Sequence, residues 1–155
     1  MLNIKRAASW IGLSAASVFF LAQPSAAQTI PQTGLPVVEI GAGMHLIHAE
    51  VARTDEQRAI GLMARKDMPQ NAGMVFIFEQ PAEQCFWMRN TLIPLSVAFV
   101  ADDGTIVNLD EMQPLSDVSH CSKKPVRYVL EMNKGWFDKR GIKAGTKLRG
   151  GPWPK

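Results

Sequence analysis

Leu95-Ser-Val-Ala-Phe-Val-Ala-Asp-Asp-Gly-Thr-Ile-Val-Asn-Leu109 is the stretch that decides the fold class of this chain. Two runs of apolar and β-branched residues, 95–101 and 105–109, flank Asp103-Gly104. An Asp-Gly pair between such runs is the strongest short-range signal for a β-hairpin. The stretch therefore predicts two antiparallel strands joined by a tight turn.

Similar short runs on both sides of this hairpin predict further strands, at residues 37–40, 44–52, 73–78, 85–88 and 126–132. We expect two short helices. One opens with a capping box of Thr54 and Gln57, and the other starts at Gly135 and ends at Gly141. Because hairpins outnumber strand-helix alternations, the sequence predicts a mainly β (α+β) fold, a compact antiparallel-rich β sandwich or barrel.

The first 27 residues have the pattern of a cleavable signal peptide. Lys5 and Arg6 precede an uncharged apolar run over residues 7–21, and Ser25 and Ala27 lie three and one positions before the expected cut. A retained anchor is the alternative, but this run is shorter than the roughly 20 residues that span a membrane. We therefore expect a periplasmic or secreted protein without a stable membrane span.

Cleavage would leave a nearly neutral mature domain. Losing Lys5 and Arg6 leaves 15 basic residues against 14 acidic ones, a net charge of +1. Without a basic block the sequence gives no reason to expect nucleic acid as a partner. We expect a flexible lead-in over residues 28–36, one globular domain over residues 37–149 and a flexible tail over residues 150–155.

Cys85 and Cys121 are the two cysteines of the chain, and in an oxidising compartment they predict a disulfide. Closing their 36-residue separation would stabilise the domain by roughly 4 kcal/mol in the chain-entropy model. The alternative is a pair of reactive thiols, but the chain lacks the Cys-x-x-Cys spacing that poises one thiolate against its neighbour.

Several motifs, in order and at close to the same spacing, resemble the domain of unknown function 192 family. They are Arg58-Ala-Ile-Gly-Leu-Met63, Gly73-Met-Val-Phe-Ile-Phe78, Phe86-Trp-Met-Arg-Asn-Thr-Leu-Ile-Pro-Leu95, Tyr128-Val-Leu-Glu131 with Gly135, and Gly141-Ile142 leading to Gly145. The resemblance implies one compact, mainly β domain without an established activity. Ser96 and Ala101 stand where the family usually has aspartates, so a mechanism built on those carboxylates fails here.

Trp87, Met88, Asn90 and Thr91 form a candidate ligand-binding site. An apolar wall with a few convergent polar groups is the usual composition of a small-molecule pocket. The alternative is that Met88 faces the core while Asn90 and Thr91 hydrogen-bond a turn. We expect the partner to be a small molecule or an envelope protein.

Arg58 and Glu131 are charged residues inside the motifs, one on a predicted helix and the other at the end of a predicted strand. We expect a structural ion pair that fixes how the helix docks on the sheet. In the alternative, Glu131 acts as a general acid or base with a second group such as Asp117 or His120.

The sequence predicts neither a metal site nor a cofactor. Zinc needs three or four converging ligands, and His45 and His48 are three residues apart in a predicted strand, which places them on opposite faces. We therefore prefer a non-enzymatic, exported binding or accessory protein of the cell envelope. The alternative is a small extracytoplasmic, hydrolase-like enzyme that uses Glu131, Asp117 or His120.

Overall fold

A computed structural model describes residues 30–154, so the predicted signal peptide lies outside the described residues. No helix in the described range is long and apolar enough to cross a membrane. In chain order the elements are β1 (Val37–Ala42), β2 (His45–Ala52), α1 (Asp55–Ile60), β3 (Ala72–Ala82), β4 (Cys85–Phe86), β5 (Leu95–Val100), β6 (Ile106–Met112), β7 (His120–Cys121), β8 (Val126–Asn133), a 3-10 turn (Asp138–Arg140) and β9 (Arg149–Gly150).

Seven strands form one sheet in the order β6-β5-β8-β3-β2-β1-β9, and β4 pairs separately with β7. Neighbours in the large sheet are antiparallel except β2 and β3, which run parallel because α1 connects them as a crossover. The ends of the sheet meet where Thr105 bridges to Lys147. The sheet is thus curled into a half-barrel, which confirms the mainly β prediction and specifies the predicted sandwich or barrel as a half-barrel.

Local signals in the sequence account for the hairpin and for α1. β5 pairs with β6 on either side of Gly104, which has a φ of +84°. The Thr54 side chain accepts the N–H of Gln57, and the Gln57 side chain accepts the N–H of Thr54. The expectation of two short helices is not confirmed, because residues 135–141 form only a 3-10 turn that ends at Gly141 in the left-handed conformation.

Apolar side chains are buried on both faces of the sheet. Val75, Ala98 and Leu130 lie in a first core on one face, and the alternate residues of the same strands lie in a second core on the other. The second core is covered by Phe86 of β4 and by segments without regular structure. These segments contribute Leu62, Met68, Met88 and Ile93.

Residues on both sides of the predicted globular domain make long-range contacts. The Gln32 amide donates to the carbonyl oxygens of Gln57 at 2.9 Å and Gly61 at 2.8 Å, which satisfies the C-terminal end of α1. At the other end of the chain Trp153 is buried, with its ring centre 5.7 Å from that of Tyr128. These contacts join Gln32 to the end of α1 and Trp153 to β8.

The predicted disulfide between Cys85 and Cys121 is confirmed. The two residues face each other across β4 and β7, a ribbon of only two residue pairs. Such a short ribbon is marginally stable in water without further support. The disulfide, with hydrogen bonds between Gln84 and Ser122, therefore fixes β4 in place.

Replacing Gly73 with alanine should destabilise the domain, because β3 and β8 meet closely there. A Cβ at Gly73 would press on the Met132 sulfur and lie 2.5 Å from the Glu131 carbonyl oxygen. Overpacking of this kind costs about 1–3 kcal/mol, which a urea denaturation midpoint detects. Gly41→Ala is the matched control, since its Cβ would meet nothing nearer than 3.6 Å. Equal stability of the two variants would contradict the close approach of β3 and β8.

Candidate functional site

A cavity of about 270 Å³ lies beside the second core. The end of α1 and the following loop form one wall, β3 and β4 form the others, and β8 contributes from the sheet. Four aromatic rings and four polar side chains characterise its lining. The rings are Phe76, Phe78, Phe86 and Trp87, and the polar residues are Arg58, Gln84, Thr91 and Glu131.

Phe86 organises the aromatic part of the cavity. Its ring packs edge-to-face on Phe76 with ring centres 4.8 Å apart, and on Phe78 at 6.4 Å. Phe76 and Phe78 share one face of β3 because strand side chains alternate. Gly61 allows the loop after α1 to approach this group, since a Cβ there would lie 3.2 Å from the Phe76 ring. The walls are therefore fixed by direct packing.

Glu131 is the carboxylic acid of the cavity. It lies on β8 opposite Met74 of β3 and Val97 of β5, and it is only 4% exposed. Among the described residues, none forms a hydrogen bond with its carboxyl group. Burial raises the pKa of Glu131 to about 8. The group is therefore protonated at neutral pH, and it lines the cavity as an acid without a partner.

Arg58 lines the same cavity but does not form the predicted ion pair with Glu131. Its guanidinium pairs with Asp55 and, at 3.2 Å, with Glu79, and it donates to the Ile77 carbonyl at 2.7 Å. Exposed carboxylates satisfy Arg58 without burying a second charge. Glu131 is thus left without a counter-charge.

The structure divides the predicted ligand residues into two groups. Trp87 and Thr91 line the cavity, and among the described residues the Thr91 hydroxyl has no hydrogen-bond partner. Met88 is fully buried in the second core. Asn90 is exposed outside the lining, where its carbonyl accepts the N–H of Ala64 at 2.9 Å.

Comparison with known proteins identifies the family. The model of DUF192, described as "Uncharacterized ACR", matches residues 37–150. This chain belongs to the DUF192 family. The resemblance found in the sequence motifs is therefore confirmed.

Two solved structures are similar to this DUF192 chain, each with 33% sequence identity and a TM-score of 0.73. One is a candidate transcription regulator from Sinorhizobium meliloti 1021, and the match covers 77% of this chain and 97% of that one. The other is a protein of unknown function from Novosphingobium aromaticivorans DSM 12444, and the match covers 86% of this chain and 99% of that one. A search of curated proteins finds no match.

Asp117 and His120, named as possible acid–base partners of Glu131, do not line the cavity of this DUF192 domain. Asp117 pairs with Arg89 at 2.8 Å, and His120 lies 2.7 Å from Asp110. The structure therefore brings neither of them into the cavity with Glu131.

One group of His, Cys, Asp or Glu side chains in the described part of the chain is close enough to hold a metal. Its members are Glu83, Cys85 and Cys121, whose ligand atoms lie within 4.8 Å of one another. Both sulfurs are engaged in the disulfide, so the group offers one free carboxylate. That is too few ligands for a structural metal site.

Sequence reasoning missed Phe76, Phe78, Gly61 and Gln84 as cavity residues. The two phenylalanines lie in an apolar strand, where such residues usually belong to the core. Their alternation, together with a glycine just after α1, was the available signal for a close approach. The missing partner of Glu131 depends on distant segments and left no signal in the sequence.

The burial of Glu131 predicts that stability falls as pH rises. Between pH 4.5 and 8 the folded chain keeps a proton that the unfolded chain loses. The free energy of unfolding should therefore drop by up to about 1.4 kcal/mol per pH unit in this window, with no further loss above it. The measurement is urea denaturation at several pH values, on the wild type and on Glu131→Gln.

The difference in stability between the wild type and Glu131→Gln isolates this effect from other titrating groups. Glu56→Gln, the same change at an exposed site on α1, should follow the wild type throughout. If the free energies of unfolding of the wild type and Glu131→Gln differ by the same amount at every pH, the pKa of Glu131 is not raised.

Proposed function

We propose that this DUF192 domain is an exported, small-molecule-binding protein of the cell envelope, and that its ligand binds in the cavity beside Glu131. The observation that carries the proposal is a buried carboxyl group without a partner at the wall of an aromatic cavity.

A buried polar group without a hydrogen bond is unfavourable for folding. Burial removes water from the carboxyl group of Glu131, which is unfavourable, whereas an apolar residue between Met74 and Val97 would carry no such cost. A ligand that bonds to Glu131 would recover this free energy on binding. Perturbed, unpaired ionisable groups in clefts are candidates for function for this reason.

The cavity has the composition expected of a ligand site. Aromatic rings form most of its wall, and Glu131, Thr91 and Gln84 supply a few polar groups that can orient a ligand. Sites for drug-sized molecules span about 300–1,000 Å³, so a cavity of about 270 Å³ suits a small metabolite.

Two features support export. The first 27 residues have the pattern of a signal peptide. A disulfide between Cys85 and Cys121 is compatible with an oxidising compartment. The same disulfide lies at the cavity wall, so export and the shape of the cavity are linked.

The raised pKa of Glu131 favours one second candidate function, a small extracytoplasmic enzyme with Glu131 as general acid. A carboxyl group with a pKa of about 8 holds its proton at neutral pH and can donate it to a leaving group. Asp117 and His120 lie outside the lining, so Glu131 would act without either of them. A Glu131→Gln variant that binds a substrate but no longer converts it would favour this candidate.

A thermal-shift screen of the exported, processed protein tests the binding proposal. Sugars, peptidoglycan fragments, nucleotides and amino acid derivatives are the compounds to screen. A ligand of the folded state present at 100 times its Kd adds about 2.7 kcal/mol, which raises Tm by several degrees. Trp87→Ala and Thr91→Val should abolish the shift, because both side chains line the cavity.

Asn90→Ala is the matched control, since Asn90 lies next to Thr91 in the chain but outside the lining. It should keep the full thermal shift. The proposal fails if no compound raises Tm, or if a hit survives both Trp87→Ala and Thr91→Val.

A further inference from the structure

We propose that the cavity takes a small organic cation, with an amidinium or ammonium head on Glu131 and an apolar body among the aromatic rings. This inference rests on the proposed function and adds the chemical class of the ligand. Three independent features of the described residues support it: the unpaired acid, the charge at the rim and the aromatic walls.

The first feature is the mismatch between the two charged residues of the lining. Both terminal nitrogens of Arg58 are occupied, because they donate to Asp55, Glu79 and two backbone carbonyls. Glu131 has no partner among the described residues. An anionic ligand would therefore meet an occupied guanidinium, whereas a cationic head would meet an acid that is free to bond. Two amidinium N–H groups match the two oxygens of a carboxylate.

The second feature is an excess of negative charge around the cavity. Asp55 and Glu79 pair with Arg58, and the Glu83 carboxylate lies 3.8 Å from the Cys85 sulfur, which lines the cavity. Arg89 lies over Trp87 and pairs with Asp117. Asp55, Glu79 and Glu83 contact lining residues directly, so three carboxylates lie at the cavity against the guanidinium groups of Arg58 and Arg89. Such a rim attracts cations and raises their local concentration.

The third feature is that guanidinium cations already lie over aromatic rings at this site. The Arg58 guanidinium lies 5.0 Å from the centre of the Phe78 ring, and that of Arg89 lies 4.0 Å from the Trp87 ring. Phe76 and Phe86 also line the cavity, and among the described residues neither has a cation over its ring. Aromatic faces attract organic cations, most strongly where water is excluded. A ligand cation would complete the same arrangement inside the cavity.

Binding of a cation should be linked to the loss of a proton from Glu131. The residues opposite Glu131 on the neighbouring strands are Met74 and Val97, and both are uncharged. Arg58 lines the cavity with it, Asp55, Glu79 and Glu83 contact lining residues, and Arg89 lies over Trp87 and pairs with Asp117. Because the carboxyl is protonated below pH 8, a cation that requires carboxylate binds about tenfold more tightly for each unit of pH up to that value.

Three molecules of nearly equal shape test the charge preference. Benzamidine is the cation, benzamide is its neutral counterpart and benzoate is the anion. Isothermal titration of the processed protein at pH 6 and pH 7 should give binding of benzamidine, tenfold tighter at pH 7. Titrations in buffers of different ionisation enthalpy should show, from the change in binding enthalpy, the release of about one proton per benzamidine bound. Glu131→Gln should lose this binding, and Glu56→Gln should keep it.

The outcomes separate this inference from the proposed function. Binding of benzamide or benzoate at least as tight as that of benzamidine would overturn the cation class and leave the cavity as a ligand site. Benzamidine binding without proton release, or unchanged in a folded Glu131→Gln variant, would place the cation elsewhere and also overturn the inference. Failure of all three molecules would overturn it too, while the wider thermal-shift screen decides the proposed function.

Discussion

The position of β8 constrains the rest of the structure. This strand lies between β3 and β5 in the middle of the curled sheet, so its side chains are buried on both faces. One face belongs to the first core, and the other contributes Val129 to the second core and Glu131 to the cavity. Because the second core is covered by β4 and irregular segments, packing there leaves room for a cavity, and Glu131 gives that cavity its chemistry.

Segments far apart in the sequence hold the cavity walls. The disulfide and the Gln84–Ser122 hydrogen bonds fix the wall that carries Phe86 and Trp87. On the opposite side the Gln32 amide satisfies the end of α1, and Gly61 lets the next loop reach Phe76. Walls fixed in advance lose little conformational entropy when a ligand binds, which favours affinity in a small site.

Local signals explain why much of the fold could be predicted from the sequence. Asp103-Gly104 and the Thr54–Gln57 capping box act within a few residues, and both form as predicted. The half-barrel, the parallel pairing of β2 with β3 and the packing of Trp153 depend on distant segments, which short patterns do not encode. At the site, Asp55 lies three residues before Arg58 on α1, a spacing that suits a local pair, whereas the absence of a partner for Glu131 among the described residues depends on distant segments.

At neutral pH Glu131 is protonated and has no partner among the described residues. An NMR titration of the side-chain carboxyl carbon in ¹³C-labelled protein tests this most directly, with Glu131→Gln to assign the signal. The expected titration midpoint is about pH 8. A midpoint near the ordinary value of 4.5 would mean that the carboxyl is hydrated or paired, and would rule out a protonated Glu131 at neutral pH.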